Sequence, residues 1–538
     1  MSPPAHFIAG RPARFPGEAA LEVRAPFTGE VVGQVPLGGA AAASAAVAAA
    51  AQAFPAWRRL PLAERLGHVE ALRARLDQES EALARMLVQE VGKPIRAARL
   101  EVRNLLAAFR YFCDEAPRQV RDQELPSHAD FTPRVARDPV GVVAAITPFN
   151  FPLQLLSWKL CPAVLAGCPV VCKPDPRTPL GTARLAEWAA EAGWPAGVFN
   201  VLHGDASTGA LLVDDPRVAK IAFTGSVEGG RAVYRSAAGG MKRVTLELGG
   251  CSPLVVCADA DFEAWMDQIL NRAFYNSGQY CFRINRALVD RRRCGAFQEA
   301  LGRAAARLVV GDPAEEGTDL GPLIDRRARE QVVERIDEAE RLGAKVLLDG
   351  RRSAPAAGSA LGPTLLSDVP EAAAVLHRET FGPVVCVIPF DGLEEAIARA
   401  NATEYGLAAF ALTRDPGTGR RLSQELEGVL NAGLGFEHIL RDDVSVYGAF
   451  HTDFSASPAG GAADISVSDW DLYHLSGGVS FRMHDNRFTL GASWAKGSKT
   501  RALDTAIPPD AVPGTGLGSE VDIRYSKLTF LLGFVFGR

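Results

Sequence analysis

The sequence predicts an α/β fold with two sheet-containing domains, followed by an antiparallel β-rich segment. Three observations predict it: helical patterning over residues 40–120, short apolar runs separated by helical stretches after Gly141, and alternating apolar and polar residues after about His438. Strands that alternate with helices favour parallel sheets, which bind ligands at the carboxyl ends of their strands. With 538 residues, the chain is long enough for more than one domain.

The first predicted elements are helices. Residues 61–65 open a segment whose apolar positions Leu66, Val69, Leu72 and Leu76 recur at helical spacing. The Ala-rich run Gly38–Phe54 also has the composition of a helix. It is too weakly apolar for a membrane span and ends in Trp57-Arg58-Arg59.

The pattern changes to strands after Gly141. Residues 142–146 form an apolar run that ends in Thr147-Pro148, as expected of a buried parallel strand. Residues 170–174, 198–202 and 220–225 repeat the pattern, with helical stretches between them. These runs predict a βαβ sheet, and a second α/β unit is predicted over residues 245–430.

Composition and charge exclude several classes of protein. The net charge of −5 and the pI of about 6.1 do not indicate nucleic acid as a partner. The cysteines number nine, with no CxxC and no Cys/His spacing typical of a metal site. Residues 1–6 lack a basic region followed by an apolar run, so no signal peptide is predicted. We therefore expect a cytoplasmic protein without a metal site or a disulfide scaffold.

The strongest chemical signal is the tetrad Gly278-Gln279-Tyr280-Cys281, preceded by Glu247-Leu248-Gly249-Gly250. The two motifs pair a thiol nucleophile with a general base. The amide of Asn150, in the motif 148–152, adds a group that can stabilise an oxyanion. Together they supply the parts of acyl chemistry through a covalent thioester. A lone cysteine would be weak evidence, because free cysteines are usually inert core residues.

Taken in order, these motifs make the chain resemble the aldehyde dehydrogenase superfamily from about Phe7 to about Phe436. The resemblance implies a Rossmann-type NAD(P)-binding domain (1–120 and 140–244), a bridging hairpin for oligomer contacts (121–139) and a catalytic domain (245–436). It also implies a small aldehyde as substrate. Relatives are homo-oligomers, dimers or tetramers, but the strand that joins their subunits comes from a carboxyl-terminal part that is missing here, so we do not carry their assembly over to this chain.

The resemblance also implies roles for the reacting groups. The Cys281 thiolate would attack the aldehyde carbon, and the Asn150 amide with the Cys281 N–H would hold the alkoxide. Glu247 would activate the water that releases the acid, because relatives that pass the acyl group to coenzyme A lack this residue. Lys159 matches a lysine near the cofactor ribose and the proton path. The alternative for Lys159 is an ordinary surface lysine.

Two motifs predict the cofactor site. Thr224, Gly225 and Ser226 end a predicted strand before a helix over 227–237, where a glycine and a helix N-terminus favour a pyrophosphate. The sequence is not GxGxxG, and taken alone it also fits an ordinary strand-to-helix turn. By resemblance, Glu379 would hold the nicotinamide ribose and Phe381 would pack against its ring.

By resemblance, the segment 173–177 corresponds to the family's binding segment for the adenosine ribose, with Lys173 at its start. NAD-preferring members usually have a Glu where Pro176 stands. Its absence removes repulsion against a 2′-phosphate, and Arg177 could pair with that phosphate. We therefore expect NAD or NADP as cofactor, with NADP accepted. The alternative is that Arg177 is a solvated surface residue.

The substrate tunnel is predicted in part. Phe151, Trp158 and Phe282 match positions that line it in relatives, and their aromatic bulk suggests a narrow apolar pocket. Arg283 is predicted to be structural, with recognition of a carboxylate or phosphate as the alternative. An aliphatic aldehyde or a short semialdehyde is the expected substrate.

The family pattern ends after residues 429–433. The carboxyl-terminal loop, helix and strand of the family are absent, and residues 437–538 read as a foreign β-rich tail. Residues 475–483 and 488–494 alternate, with a turn predicted over His484-Asp485-Asn486-Arg487. The strand pattern resembles the last strands of an outer-membrane β-barrel, whose minimum is about eight strands.

Three interpretations of this tail remain: a fusion or assembly accident, which we favour, a small packed β-domain, or an unfolded appendage with unpaired edges. A membrane is expected as a partner only if the tail is a real barrel fragment. The alternative function is a truncated, impaired dehydrogenase that retains cofactor binding. A barrel protein that has lost its amino-terminal portion is a third hypothesis.

Overall fold

The computed structural model describes most of the chain. The described ranges are 5–124, 134–353, 358–426, 431–441, 444–453, 472–483, 486–502 and 520–536. For the strands after residue 430 the description is of the backbone only.

Strands and helices alternate as the sequence predicts from about residue 140 to residue 426. The strands are β1 His6–Ile8, β2 Arg11–Ala13, β3 Ala20–Arg24, β4 Val31–Pro36, β5 Gln123–Glu124, β6 Arg134–Val135, β7 Val142–Ile146, β8 Val170–Lys173, β9 Phe199–Val201, β10 Val218–Thr224, β11 Arg243–Glu247, β12 Pro253–Val256, β13 Arg286–Asp290, β14 Lys345–Leu348, β15 Thr364–Ser367, β16 Val384–Phe390, β17 Phe410–Leu412, β18 Asn431–Arg441, β19 Val444–Asp453, β20 Leu472–Met483, β21 Asn486–Ala502 and β22 Glu520–Phe536.

The helices are α1 Ala40–Trp57, α2 Leu62–Gln78, α3 Ser80–Val91, α4 Ile95–Gln119, α5 Pro152–Leu165, α6 Leu180–Glu191, α7 Ala206–Asp214, α8 Val227–Gly239, α9 Met266–Phe274, α10 Arg291–Ala305, α11 Arg326–Arg341, α12 Gly350–Ser353, α13 Ala374–His377, α14 Leu393–Ala400 and α15 Pro416–Glu425.

The first sheet has the strand order β11-β10-β7-β8-β9-β1-β2. Its strands from β11 to β9 run parallel, and β1 adds an antiparallel edge with β2. Val143 and Ala145 of β7 pack into the core beneath α2–α6, whereas Val142, Ala144 and Ile146 pack into the core beneath α1 and α7. Both faces are buried, which explains the continuous apolar run of β7.

The predicted boundary at residue 245 differs from the observed division. β11 spans Arg243–Glu247 and pairs in parallel with β10, with Thr224 opposite Glu247. The strand that ends in Glu247 therefore belongs to the first sheet, and the second sheet starts with β12. A strand partner cannot be identified from one sequence, because pairing depends on residues distant along the chain.

The second sheet has the order β14-β15-β16-β13-β12-β17. All its neighbouring strands run parallel except the edge strand β14. Three apolar clusters cover it, centred on residues such as Phe297, Ile336 and Phe390. The turn before Cys281 lies at the amino-terminal side of β13 and contacts the loop after β7, which brings the two sheets together.

One described helix, α1, is long and apolar enough to cross a membrane by length and composition. Ala42, Ala46, Val47 and Ala50 of this helix have no exposed surface and pack in the core of the first sheet. This burial is that of a core helix, as the sequence predicts for the Ala-rich run.

A short hairpin follows α4. β5 pairs antiparallel with β6, and residues 125–133 of the predicted bridging segment lie outside the described residues. Farther along, β18 to β22 form a five-stranded antiparallel sheet in chain order. β18 begins at Asn431, earlier than the predicted change near His438. Asn486 pairs with Met483, so Asn486 and Arg487 belong to β21 and not to the predicted turn. The barrel-like interpretation stays a prediction.

Candidate active site

Cys281 follows a turn whose backbone is left-handed over three consecutive residues. The φ angles are 51° at Asn276, 57° at Ser277 and 73° at Gly278. A β-carbon at Gly278 would overlap the carbonyl of Gly382, so this position requires glycine. Left-handed Asn and Ser residues are strained, and such strain persists only where the surroundings impose it.

The surroundings of this turn supply that constraint. The Ser277 hydroxyl donates to the carbonyl of Gly321 over 2.8 Å, and the Gln279 Oε1 accepts from the N–H of Ile324 over 2.8 Å. Both side chains are buried. The turn is therefore held against the segment that precedes α11. The sequence does not reveal this role of Gln279, because its partner lies far along the chain.

Cys281 is the one half-buried thiol among the nine cysteines; the others are buried. Burial, together with the smaller effect of the nearby charges of Glu379 and Glu247, raises the pKa of the Cys281 thiol to about 11. The thiol is therefore protonated at neutral pH unless its surroundings change. Its partial exposure distinguishes it from the inert core cysteines.

Asn150 lies in the loop between β7 and α5, and its side chain is buried. Its Nδ2 donates to the carbonyl of Gln279 over 3.1 Å. Its own carbonyl accepts from the Nδ2 of Asn276 over 3.2 Å. These two hydrogen bonds therefore connect Asn150 to the turn before Cys281. The second Nδ2 proton of Asn150 stays available to a further acceptor.

Glu247, Thr224 and Lys159 lie together at the carboxyl end of the first sheet. The sheet register places Glu247 opposite Thr224. The Lys159 ammonium of α5 is buried and donates to the Thr224 hydroxyl over 2.6 Å. Burial lowers the pKa of Lys159 to about 8, and the charge of Glu247 opposes this shift. The surface-lysine alternative is therefore wrong.

The predicted phosphate loop lies between β10 and α8. A β-carbon at Gly225 would lie 2.6 Å from the Phe223 ring, so the ring packs against this glycine. Ser226 caps α8, and its hydroxyl oxygen accepts from the N–H of Gly229 over 3.1 Å. A glycine next to a helix N-terminus is an arrangement that favours the charge of a pyrophosphate.

Glu379 lies in the segment between α13 and β16. Its carboxylate accepts from the N–H of Gly250 over 3.2 Å. Burial raises the pKa of Glu379 to about 7, although this hydrogen bond and the charge of Arg283 oppose the shift. Phe381 meets the edge of Phe149, with the ring centroids 5.7 Å apart.

Arg177 is an ion-paired cation whose side chain is 40% exposed. It donates to Asp175 and, over 3.0 Å, to Asp325 at the start of α11. Its guanidinium also lies 4.3 Å from the centroid of the Phe149 ring. Lys173 is buried and donates to the carbonyl of Gly204 over 2.9 Å, and burial lowers its pKa. Pro176 between them is half-buried.

Arg283 has the structural role that the sequence favours. It is fully buried, and it donates to the carbonyls of Thr380, Ile284 and Val384 over 2.7 to 3.0 Å. Burial lowers the pKa of Arg283 to about 10. It therefore braces the segment that carries Glu379 and Phe381.

Aromatic residues flank Cys281 in the sequence and contact one another. Tyr280 and Phe282 have ring centroids 4.1 Å apart, and Phe151 lies 5.4 Å from Tyr280 and 5.9 Å from Tyr275. Trp158 is 44% exposed on α5. Tyr275 and Tyr280 join this aromatic cluster, although the sequence predicted only Phe151, Trp158 and Phe282 for it. Their aromatic character beside Cys281 was the available signal.

The sequence and structure comparisons agree on one family. The model of the aldehyde dehydrogenase family matches residues 15–432. The glutarate-semialdehyde dehydrogenase of Pseudomonas putida is 39% identical over 431 residues, covering 80% of this chain and 88% of that protein. The NADP-dependent succinate-semialdehyde dehydrogenase GabD of Escherichia coli is 39% identical over 435 residues, covering 80% and 89%.

A solved structure extends the agreement to the fold. The betaine aldehyde dehydrogenase of Staphylococcus aureus, in complex with NAD⁺, superposes with a TM-score of 0.75 at 31% identity and covers 78% of this chain and 85% of that one. The chain belongs to the aldehyde dehydrogenase family. It is an NAD(P)-dependent oxidoreductase that converts an aldehyde to a carboxylic acid. This result does not favour the impaired, cofactor-binding alternative.

Proposed function

We propose that Cys281 is the nucleophile of this dehydrogenase, with Asn150 as oxyanion ligand and Glu247 as general base. The observation that carries the proposal is the pair of hydrogen bonds between Asn150 and the turn before Cys281. They hold an amide donor against the backbone that leads to the one half-buried thiol.

The reaction follows from these positions. The Cys281 thiol gives up its proton to solvent water, and the thiolate attacks the aldehyde carbon. The resulting alkoxide accepts from the second Nδ2 proton of Asn150 and from the N–H of Cys281. The bound NAD(P)⁺ supplies the hydride acceptor. The thioester that remains on Cys281 is hydrolysed by a water molecule from which Glu247 takes a proton.

The nicotinamide cofactor would be held by residues of both sheets. Gly225 and Ser226 would receive the pyrophosphate, with Thr224 and Lys159 beside it. Glu379 would bind the nicotinamide ribose and Phe381 would pack against the ring. Lys173 and Pro176 would face the adenosine ribose, where the absence of a carboxylate permits a 2′-phosphate. Two aspartates balance the charge of Arg177. We therefore propose that Arg177 packs against Phe149 and holds this ring in place, and that it does not contact a phosphate.

The substrate that fits best is an uncharged aldehyde with an apolar body. Phe151 and Phe282, together with Tyr275 and Tyr280, offer apolar and aromatic surface close to Cys281, and Trp158 extends it. The Arg283 guanidinium is buried and donates to backbone carbonyls, so it does not serve as a carboxylate receptor. Semialdehydes and betaine aldehyde, the substrates named for relatives, are the competing candidates.

The division of the chain into domains is also proposed. Residues 1–120 and 140–247 would form the cofactor domain, and 248–436 the catalytic domain. Residues 121–139 would contribute to contacts between subunits. The nine cysteines are unpaired thiols, which supports a cytoplasmic location. For 437–538 we retain the barrel-like, foreign β-rich tail as a proposal.

NAD(P)H formation by the purified full-length protein tests the assignment. The panel contains hexanal, benzaldehyde, succinate semialdehyde, glutarate semialdehyde and betaine aldehyde. The expected result is the highest kcat/KM with an uncharged aldehyde and no turnover by Cys281→Ala. Cys294→Ala is the matched control, since Cys294 lies on α10, away from the cleft. Turnover that survives Cys281→Ala contradicts the assignment of the nucleophile, and preference for a semialdehyde contradicts the substrate class.

A further inference from the structure

Lys93 is a buried cation outside the groups assigned to the reaction. It lies between α3 and α4, directly after Gly92, whose left-handed backbone ends α3. Its side chain and that of Glu101 on α4 both have 0% exposed surface, and the two form an ion pair. A fully buried pair is costly to desolvate, so its geometry must be well satisfied.

The Lys93 ammonium reaches the loop that carries Asn150. It donates to the carbonyl oxygen of Asn150 over 2.8 Å and lies 4.1 Å from the centroid of the Phe151 ring. These contacts and the Glu101 carboxylate surround the ammonium with partners. The position of the Asn150 backbone is therefore set by a charge-assisted hydrogen bond, which is stronger than a neutral one.

Glu101 holds the other end of the same loop. Its second carboxylate oxygen accepts from the N–H groups of Leu153 over 3.1 Å and Gln154 over 3.2 Å, in the first turn of α5. Pro152 opens that helix. The ion pair thus hydrogen-bonds to both ends of the segment from Asn150 to Gln154. Neither side chain of the pair has exposed surface.

We propose that Lys93 is a positioning residue for the oxyanion-binding amide of Asn150. The inference rests on the role proposed above for Asn150. Without the Lys93 contact, the Asn150 carbonyl retains only the weaker amide donor of Asn276, and the Nδ2 group shifts relative to the Cys281 sulfur. A displacement of this kind lowers transition-state stabilisation while leaving cofactor binding unchanged.

A double-mutant cycle tests the proposal. Steady-state kcat is measured for the full-length protein, Lys93→Met, Asn150→Ala and the double variant, with the most active aldehyde of the panel. Lys93→Met is expected to lower kcat by about 10- to 100-fold, with the dissociation constant of NAD(P)⁺ unchanged. In the Asn150→Ala background the same substitution is expected to cost less than about threefold, because the group that it positions is gone.

Glu90→Gln is the matched control. Glu90 is also a buried carboxylate near Lys93, but it accepts from the N–H groups of Leu180 and Gly181 at the start of α6. Its substitution should leave kcat within about twofold, and thermal unfolding of every variant verifies folding. If Lys93→Met does not fold, Lys93→Met/Glu101→Met replaces it, since removing both charges of a buried pair leaves none uncompensated.

The possible outcomes distinguish the positioning role of Lys93 from the oxyanion-binding role of Asn150. Equal losses of kcat from Lys93→Met in the presence and absence of the Asn150 amide mean a purely structural lysine and overturn the inference, as does an unchanged kcat. Full activity of Asn150→Ala overturns the proposed role of Asn150 itself. If Asn150→Ala is slow and the two substitutions lower kcat additively in the double variant, only the positioning role of Lys93 is overturned.

Discussion

The carboxylate of Glu379 accepts a hydrogen bond from the backbone N–H of Gly250, over 3.2 Å. Gly250 belongs to the turn that follows β11, the strand that ends in Glu247. The proposed ribose-binding acid and the proposed general base are therefore linked through one short stretch of backbone. A shift of this turn would disturb both groups.

Gly249→Ala is expected to impair cofactor binding. A β-carbon at Gly249 would overlap the Glu379 carboxylate and push it from its position. The loss of a charge-assisted hydrogen bond to the ribose, about 1.5–3 kcal/mol, predicts a rise of about 10- to 100-fold in KM for the cofactor. Gly239→Ala is the control, because nothing lies near that position. An unchanged KM in Gly249→Ala contradicts the role of Glu379.

Glu247→Gln is expected to separate the two halves of the reaction. In the proposed mechanism, hydrolysis of the thioester uses Glu247 as base and acylation of Cys281 does not. Stopped-flow absorbance should therefore show a burst of about one NAD(P)H per subunit, followed by turnover slowed by about 10²- to 10⁴-fold. Glu263→Gln, an exposed carboxylate on the catalytic domain, should show neither effect. A slow enzyme without a burst would place Glu247 before acylation.

The reactivity of the thiol should rise steeply with pH. Burial, followed by the charge of Glu379, raises the pKa of Cys281 to about 11, so the thiolate fraction and the alkylation rate increase about tenfold per pH unit between pH 8 and 10. Glu379→Gln removes a nearby negative charge and should lower that pKa, which speeds alkylation at pH 8. Iodoacetamide labelling followed by mass spectrometry measures both. Faster labelling at pH 7 than at pH 9 is incompatible with this environment.

Stability should fall as the pH rises from about 4.5 to about 8. Burial raises the pKa of Glu90 from 4.5 to about 8, so the folded state retains a proton that the unfolded state releases in this window. The stabilising contribution is fully present below pH 4.5 and is lost as the pH passes the folded value, at most about 5 kcal/mol in total.

Denaturant unfolding at pH 5 and pH 8 measures this effect. Glu90→Gln should lose less stability over the window than the unmodified protein. Glu64→Gln, on the exposed face of α2, should behave as the unmodified protein does. Equal pH dependence in all three proteins would show that Glu90 titrates normally.

Cofactor preference should depend on Pro176 more than on Arg177. Pro176→Glu adds a carboxylate that can bind the ribose hydroxyls and repels a 2′-phosphate, so the ratio of kcat/KM for NADP to that for NAD should fall by at least about tenfold. Arg177→Gln should change this ratio little, because Asp175 and Asp325 already bind the guanidinium. A large fall in the ratio with Arg177→Gln would restore the phosphate contact suggested by the sequence.

One amino-acid sequence is enough to predict the family and the alternation of strands and helices, and to single out the candidate reactive residues. Cys281, Glu247 and Asn150 stand out because their residue types and order are needed for thioester chemistry. β7 was predicted at its observed bounds, since burial of both faces requires a continuous apolar run. These features are local, so one sequence is enough to recognise them.

The pairing of side chains with distant groups follows from the fold and cannot be read from the sequence. Arg177 lies between two aspartates and Arg283 is buried among carbonyls, although both are charged residues in loops. β11 belongs to the first sheet, and Lys93 reaches the carbonyl of Asn150, 57 positions away in the chain. Such contacts join residues that no periodicity relates, and burial determines whether a charged side chain binds a ligand or supports the backbone.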